Sequence, residues 1–167
     1  MDAIFTRRSI RRYADLPVDA AAVEKLLAAA VAAPSAGNEQ PWEFIVVTDK
    51  ATREEITKVH AYSQMLKQAP VAIVVCADPA RSRYPFEYWV QDCAAATQNI
   101  LLAAAALGLG TCWLGVHPVP ERVAGVRRIL AIPEPIVPFA IVAVGHPAEQ
   151  PGRVDRFDPA RIHRERW

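Results

Sequence analysis

A chain of 167 residues, 52% of them hydrophobic, can bury one substantial core but is too short for a second, so a single domain over residues 1–167 is expected. Its 19 basic and 18 acidic side chains nearly cancel, and a formal net charge of +1 provides no global field to attract nucleic acid or an anionic membrane. Three scattered cysteines, Cys76, Cys93 and Cys112, have no CxxC spacing, which points to free thiols in a reducing compartment and against disulfide stapling.

Met1 to Thr6 leads straight into arginines with no apolar stretch suited to a signal peptide, so a cytoplasmic protein is expected. Residues Asp2–Tyr13 read as a short basic element. Asp19 can cap a helix whose apolar positions Val23, Leu26, Leu27, Ala30 and Val31 recur at helical spacing, and Pro34 stops it. After the loop Ser35–Pro41, the run Glu43–Thr48 reads as a buried strand. Thr52 with Glu55 forms a capping box that starts a helix toward His60, and a second short helix covers Tyr62–Gln68. Pro70 ends that helix, and the unbroken apolar run Val71–Ala77 is a strand buried on both faces.

Residues Glu87–Leu107 carry the strongest helical pattern, with Ala95, Ala96, Ile100, Leu101, Ala104 and Ala105 apolar and Gln91, Asp92 and Gln98 interspersed. The apolar run Ile100–Leu109 is much shorter than the roughly 20 residues of a membrane span. Gly108 supplies a C-terminal cap, and Leu109–Val116 is a third strand. A helix from about Pro120 to Leu130 begins with proline in its first turn, and Ile136–Gly145 is a fourth strand. The remainder, His146–Trp167, is arginine-rich and aperiodic, and reads as an extended arm. The pattern is α+β, or a three-layer sandwich around a long central helix.

Three segments could carry chemistry. Arg7, Arg8, Arg11 and Arg12 surround Ser9 within six residues, and guanidinium forks converging with a hydroxyl suit a phosphate monoester. A solvated basic face would show the same residues. The stretch Ala33–Trp42 combines small side chains, which let a flat ligand approach the backbone, with the amides of Asn38 and Gln40; an ordinary stiff turn fits it equally. The glycines of Gly108–Gly115 follow a helix and enter a strand, the reverse of a dinucleotide fingerprint, although a backbone amide near Gly115 could face a cofactor edge. The histidines His60, His117, His146 and His163 are far apart with no metal-ligand spacing, and read as surface or packing residues. With no nucleophile elbow, carboxylate pair or activated thiol, the chemistry must be borrowed from a cofactor.

Taken together, RRSIR near the start, APSAGNEQPW after the first long helix, QN in the central helix, GLGTCWLG after it, and IPEP followed by VGHP resemble the nitroreductase-like flavoprotein family over nearly the whole chain. The resemblance implies an α+β three-layer sandwich with a central mixed sheet, a long buried helix and an extended C-terminal arm. It also implies a homodimer with FMN in two shared sites. On that resemblance Arg7, Arg8, Ser9 and Arg11 hold the FMN phosphate and ribityl chain, with Arg156, and less directly Arg153, as a further phosphate contact. Pro34, Ser35, Ala36 and Asn38 match a loop that the partner subunit lays against the flavin ring. Gln64 stands where the family often has a basic residue near the pyrimidine edge. Trp113, Leu114 and Gly115 match the strand end beside the ring, an amide pointing toward N5. The chain is shorter than most members, so helices that shape the substrate mouth are reduced.

The implied activity is ping-pong transfer of hydride equivalents from NADH or NADPH through FMN to a small acceptor such as a nitroaromatic or quinone. Other flavin chemistry on the same fold competes with it: flavin cleavage, dehalogenation or dehydrogenation. A non-catalytic flavin-binding protein is a second alternative. A nucleic-acid patch conflicts with the balanced charge.

Overall fold

The fold grows outward from the apolar run Val71–Ala77, which forms a strand, β2, buried along its whole length. The computed structural model describes residues 2–167. On one side β2 pairs with β1 (Trp42–Val47), on the other with β4 (Val137–Gly145), and β3 (Gly110–Gly115) lies outside β4, giving the order β1-β2-β4-β3. All three ladders are antiparallel. The expected mixed sheet is therefore antiparallel throughout its four strands, and its parallel component is confined to a bridge between Ser9 and Thr111.

Because side chains alternate along a strand, Val71, Ile73, Val75 and Ala77 face one layer while Ala72, Val74 and Cys76 face the other. The first layer is α2 (Ala20–Val31) with the long α4 (Tyr88–Ala106), whose Cys93, Ala96, Ile100 and Ala104 are fully buried. The second contains α3 (Lys50–Val59) and α5 (Pro120–Leu130), contributing Ile56 and Val126. This is the α+β three-layer sandwich with a long buried helix.

Local chemistry explains the element ends. The Asp19 carboxylate accepts from the Ala21 amide at 3.2 Å and starts α2. α3 is capped by Asp49 and not by Thr52, a correction to the capping box. Asp49 has the extended conformation that a capping residue needs, and its Oδ2 accepts from the Thr52 amide at 2.7 Å and hydroxyl at 2.6 Å. The helix expected over Tyr62–Gln68 contracts to one 3₁₀ turn, Gln64–Lys67, in which the Leu66 amide donates to the Ser63 carbonyl and the Gln68 amide to the Met65 carbonyl.

Two terminal segments border the site. A short α1 (Asp2–Thr6) leads into an extended stretch that lies against β3, where the Ile10 amide donates to Thr111 at 2.8 Å. Gly110 permits this approach, since a Cβ there would lie 2.9 Å from Ile10 side-chain atoms. Beyond Gln150 the expected arm is largely irregular and exposed, with one 3₁₀ turn at Pro159–Arg161.

Candidate functional site

Arg7–Arg12 are not helical, so the arginines do not share a face through helical spacing. Their backbone is positioned by Glu149, whose Oε1 accepts from the Arg11 and Arg12 amides, and by the Ala148 amide, which donates to the Arg12 carbonyl at 2.9 Å. The arm then folds over the segment, with the Arg153 guanidinium 5.7 Å from the centre of the Phe5 ring. The result is a cavity of about 530 Å³ whose lining includes Arg7, Arg8, Ser9, Arg11, Arg153 and Arg156, against one carboxylate, Asp155. Arg12 is not among the residues that line it. A concentration of guanidinium groups and one hydroxyl suits a dianionic phosphate.

A second cavity of about 470 Å³ opens at the end of β3 and also includes Arg11 in its lining, so that residue borders both spaces. Gln64, Trp113, Leu114 and Gly115 border it. A Cβ at Gly115 would meet nothing within 4 Å, so the backbone there faces open space into which a flat ring could move close.

The same cavity contains residues that sequence reasoning missed. His60, expected as a surface or packing residue, is packed: it is 1% exposed, and its Nε2 lies 2.8 Å from the Gly115 carbonyl oxygen. Since a carbonyl only accepts, Nε2 carries the proton; Nδ1 is buried without a partner. Burial holds this imidazole below its ordinary pKa, so it stays neutral near pH 7. Arg122, from the first turn of α5, donates to the same carbonyl at 3.0 Å and lies 5.6 Å from the centre of the Tyr62 ring. No local period marks His60 or Arg122, since both matter only through where Gly115 falls. Of the other histidines, His117 lies against the Trp89 ring and His146 against the Pro17 carbonyl, while His163 is exposed and stacks on Trp167.

Pro34, Ser35, Ala36 and Asn38 line neither cavity of their own chain. They form a turn in which Gly37 and Asn38 have φ of 54° and 56°, with the Gln40 amide donating to Ser35 Oγ at 3.0 Å. Behind the turn Asp92 Oδ1 accepts from the Ala36 amide at 2.9 Å, while Asp92 Oδ2 and Glu39 Oε2 are buried without partners. The three cysteines are free and buried, and burial pushes the Cys76 and Cys93 thiols up to about 12, which leaves them inert. Among the described residues no helix is long and apolar enough to cross a membrane.

The Nitroreductase family model matches residues 4–61 and 57–146. A protein of Methanothermobacter thermautotrophicus, provisionally named NADH dehydrogenase/NAD(P)H nitroreductase, is 52% identical over 100% of this chain and 87% of its own. The solved structure of an FMN-dependent nitroreductase from Clostridium difficile aligns with a TM-score of 0.92 at 30% identity, over 100% of both chains. A provisionally named nitroreductase of Desulfovibrio desulfuricans, solved in complex with FMN, aligns with a TM-score of 0.85 at 34% identity, over 99% of this chain and 96% of its own.

Proposed function

The chain belongs to the nitroreductase family, and on that premise we propose that it is an NAD(P)H-dependent FMN oxidoreductase acting on a small electrophilic acceptor such as a nitroaromatic or quinone. The observation that carries the reading is that Arg11 borders two cavities, one rich in guanidinium groups and one beside an open strand end. That paired shape fits a planar ring with a phosphate tail. When bound, FMN would supply the two-electron chemistry that links oxidation of NADH or NADPH to reduction of the acceptor in a ping-pong cycle.

The chain's own residues then bind and orient. Arg7, Arg8, Ser9 and Arg11, with Arg153 and Arg156 from the arm, hold the phosphate through charge-assisted hydrogen bonds. Gln64 offers a neutral amide to the ring edge, and Trp113, Leu114 and Gly115 bring backbone beside it. Pro34, Ser35, Ala36 and Asn38 act on the partner's site in a homodimer. Among the described residues no Asp or Glu lines the ring cavity, and on this reading protons for the acceptor come from water.

Purified protein should be yellow, and heating should release FMN rather than FAD, identified by chromatography of the supernatant. Anaerobic NADH or NADPH should then bleach the protein, and a quinone should restore its colour. A protein that stays colourless after mixing with excess FMN overturns the reading.

A further inference from the structure

Two arginines of α5 have different surroundings. Arg127 donates to the carbonyls of Pro133, Glu134 and Ile136 and pairs with the Glu134 carboxylate at 3.0 Å, which accounts for it as a structural residue. Arg122 makes one hydrogen bond, to the Gly115 carbonyl, and pairs with no carboxylate among the described residues. A guanidinium has five N–H donors, so most of its capacity is unused. Its direction is nevertheless set, by that bond on one side and the Tyr62 ring on the other.

The surroundings make this corner receptive to an anion. Among the described residues the charged side chains bordering the ring cavity are Arg11 and Arg122, and no Asp or Glu lines it. Arg11 also belongs to the phosphate cavity; Arg122 does not. The Gly115 carbonyl already receives His60 and Arg122, so it cannot satisfy further donors from the Arg122 guanidinium.

We propose that Arg122 binds an anionic oxygen group on the donor or acceptor that docks against the flavin at the β3-end cavity, so that the reaction favours partners carrying a carboxylate or phosphate. The group belongs either to a conjugated acceptor acid or to the dinucleotide donor. Both present the same charged oxygens to a guanidinium. This assignment rests on the flavin oxidoreductase reading.

The test uses FMN-loaded protein and two unreactive probes of nearly the same shape, benzoate and benzamide, whose dissociation constants are measured by calorimetry at low salt. Wild type should prefer benzoate by about tenfold, the scale of one charge-assisted hydrogen bond. Arg122→Gln should bring the ratio near one, and Arg122→Lys, which keeps the charge, should retain part of it. FMN loading of each variant, read by absorbance, checks that it folds. For the donor arm, the NADH concentration dependence of flavin reduction is followed without acceptor; weaker NADH binding in Arg122→Gln would place the anionic group on the dinucleotide. If neither the benzoate preference nor NADH binding changes in Arg122→Gln, the proposal is wrong while the flavin reading stands. Failure of wild type to load FMN overturns both.

Discussion

Asp92 is a carboxylate whose surroundings disfavour its charge. Burial raises its pKa above the usual carboxylate range, the Ala36 amide opposes that rise, and the like charge of Glu39 adds to it. A carboxyl with a raised folded pKa destabilises the native state when ionised, and the penalty fades as pH falls through that pKa. Asp92→Asn, which removes the charge and can still accept from Ala36, should therefore melt higher than wild type near neutral pH, and the gap should close as pH falls toward the ordinary carboxylate value. A gap that does not vary with pH would mean that charge is not the cause. The arginines give a second test at this scale. Arg8→Ala and Arg11→Ala should each weaken FMN binding by about 1.5 to 3 kcal/mol, the value of a hydrogen bond to a charged group. Arg12→Ala should matter less, since that side chain is outside the cavity lining and Glu149 holds only its backbone. Fluorescence titration of FMN into the apoprotein measures all three, and equal constants would leave the cluster as a solvated face.

The packing of α3 on α5 depends on Gly125. A Cβ at that position would lie 2.7 Å from Val59 Cβ and 3.0 Å from both its methyl carbons, so an added methyl must push the helices apart. Alanine is better than glycine in a helix interior by about 1 kcal/mol, but overpacking against a β-branched neighbour costs about 1 to 3 kcal/mol. Gly125→Ala should therefore lower stability in urea unfolding, and adding Val59→Ala should restore much of the loss. Additive effects in that double mutant would show that the two residues do not meet. The contact also bears on the site, because α5 carries Arg122 and α3 leads into His60.

A single chain leaves several apolar side chains in water, among them Ile4 and Phe5 on α1 and Phe157, Ile162 and Trp167 on the arm. With the Pro34–Asn38 turn outside its own cavities, this exposure supports the proposed homodimer with shared sites. Mixing tests it. One variant combines Arg8→Ala with Arg11→Ala, and the other carries Ala36→Trp to fill the space of the ring. Each alone should be poorly active. In a mixed dimer one site collects every defect and the other is wild type, so random exchange at equal amounts should restore about a quarter of all sites. Activity that stays flat after verified subunit exchange would mean that each site lies within one chain.

The sequence by itself determined the elements whose causes are local. Val71–Ala77 was legible as a buried strand, Pro120–Leu130 as a helix opened by proline, and Asp19 as a cap, because each depends on neighbours a few residues away. It also named most of the arginines and the strand end that border the two cavities. Only the tertiary structure decided the antiparallel sense of the ladders, the choice of Asp49 over Thr52 as cap, and the meeting of the arm with the N-terminal arginines. The convergence of His60 and Arg122 on one carbonyl was likewise invisible, since His60 is 55 residues from Gly115. Periodicity records which face of an element is buried, whereas these contacts arise when distant segments close against each other, a geometry that no local pattern encodes.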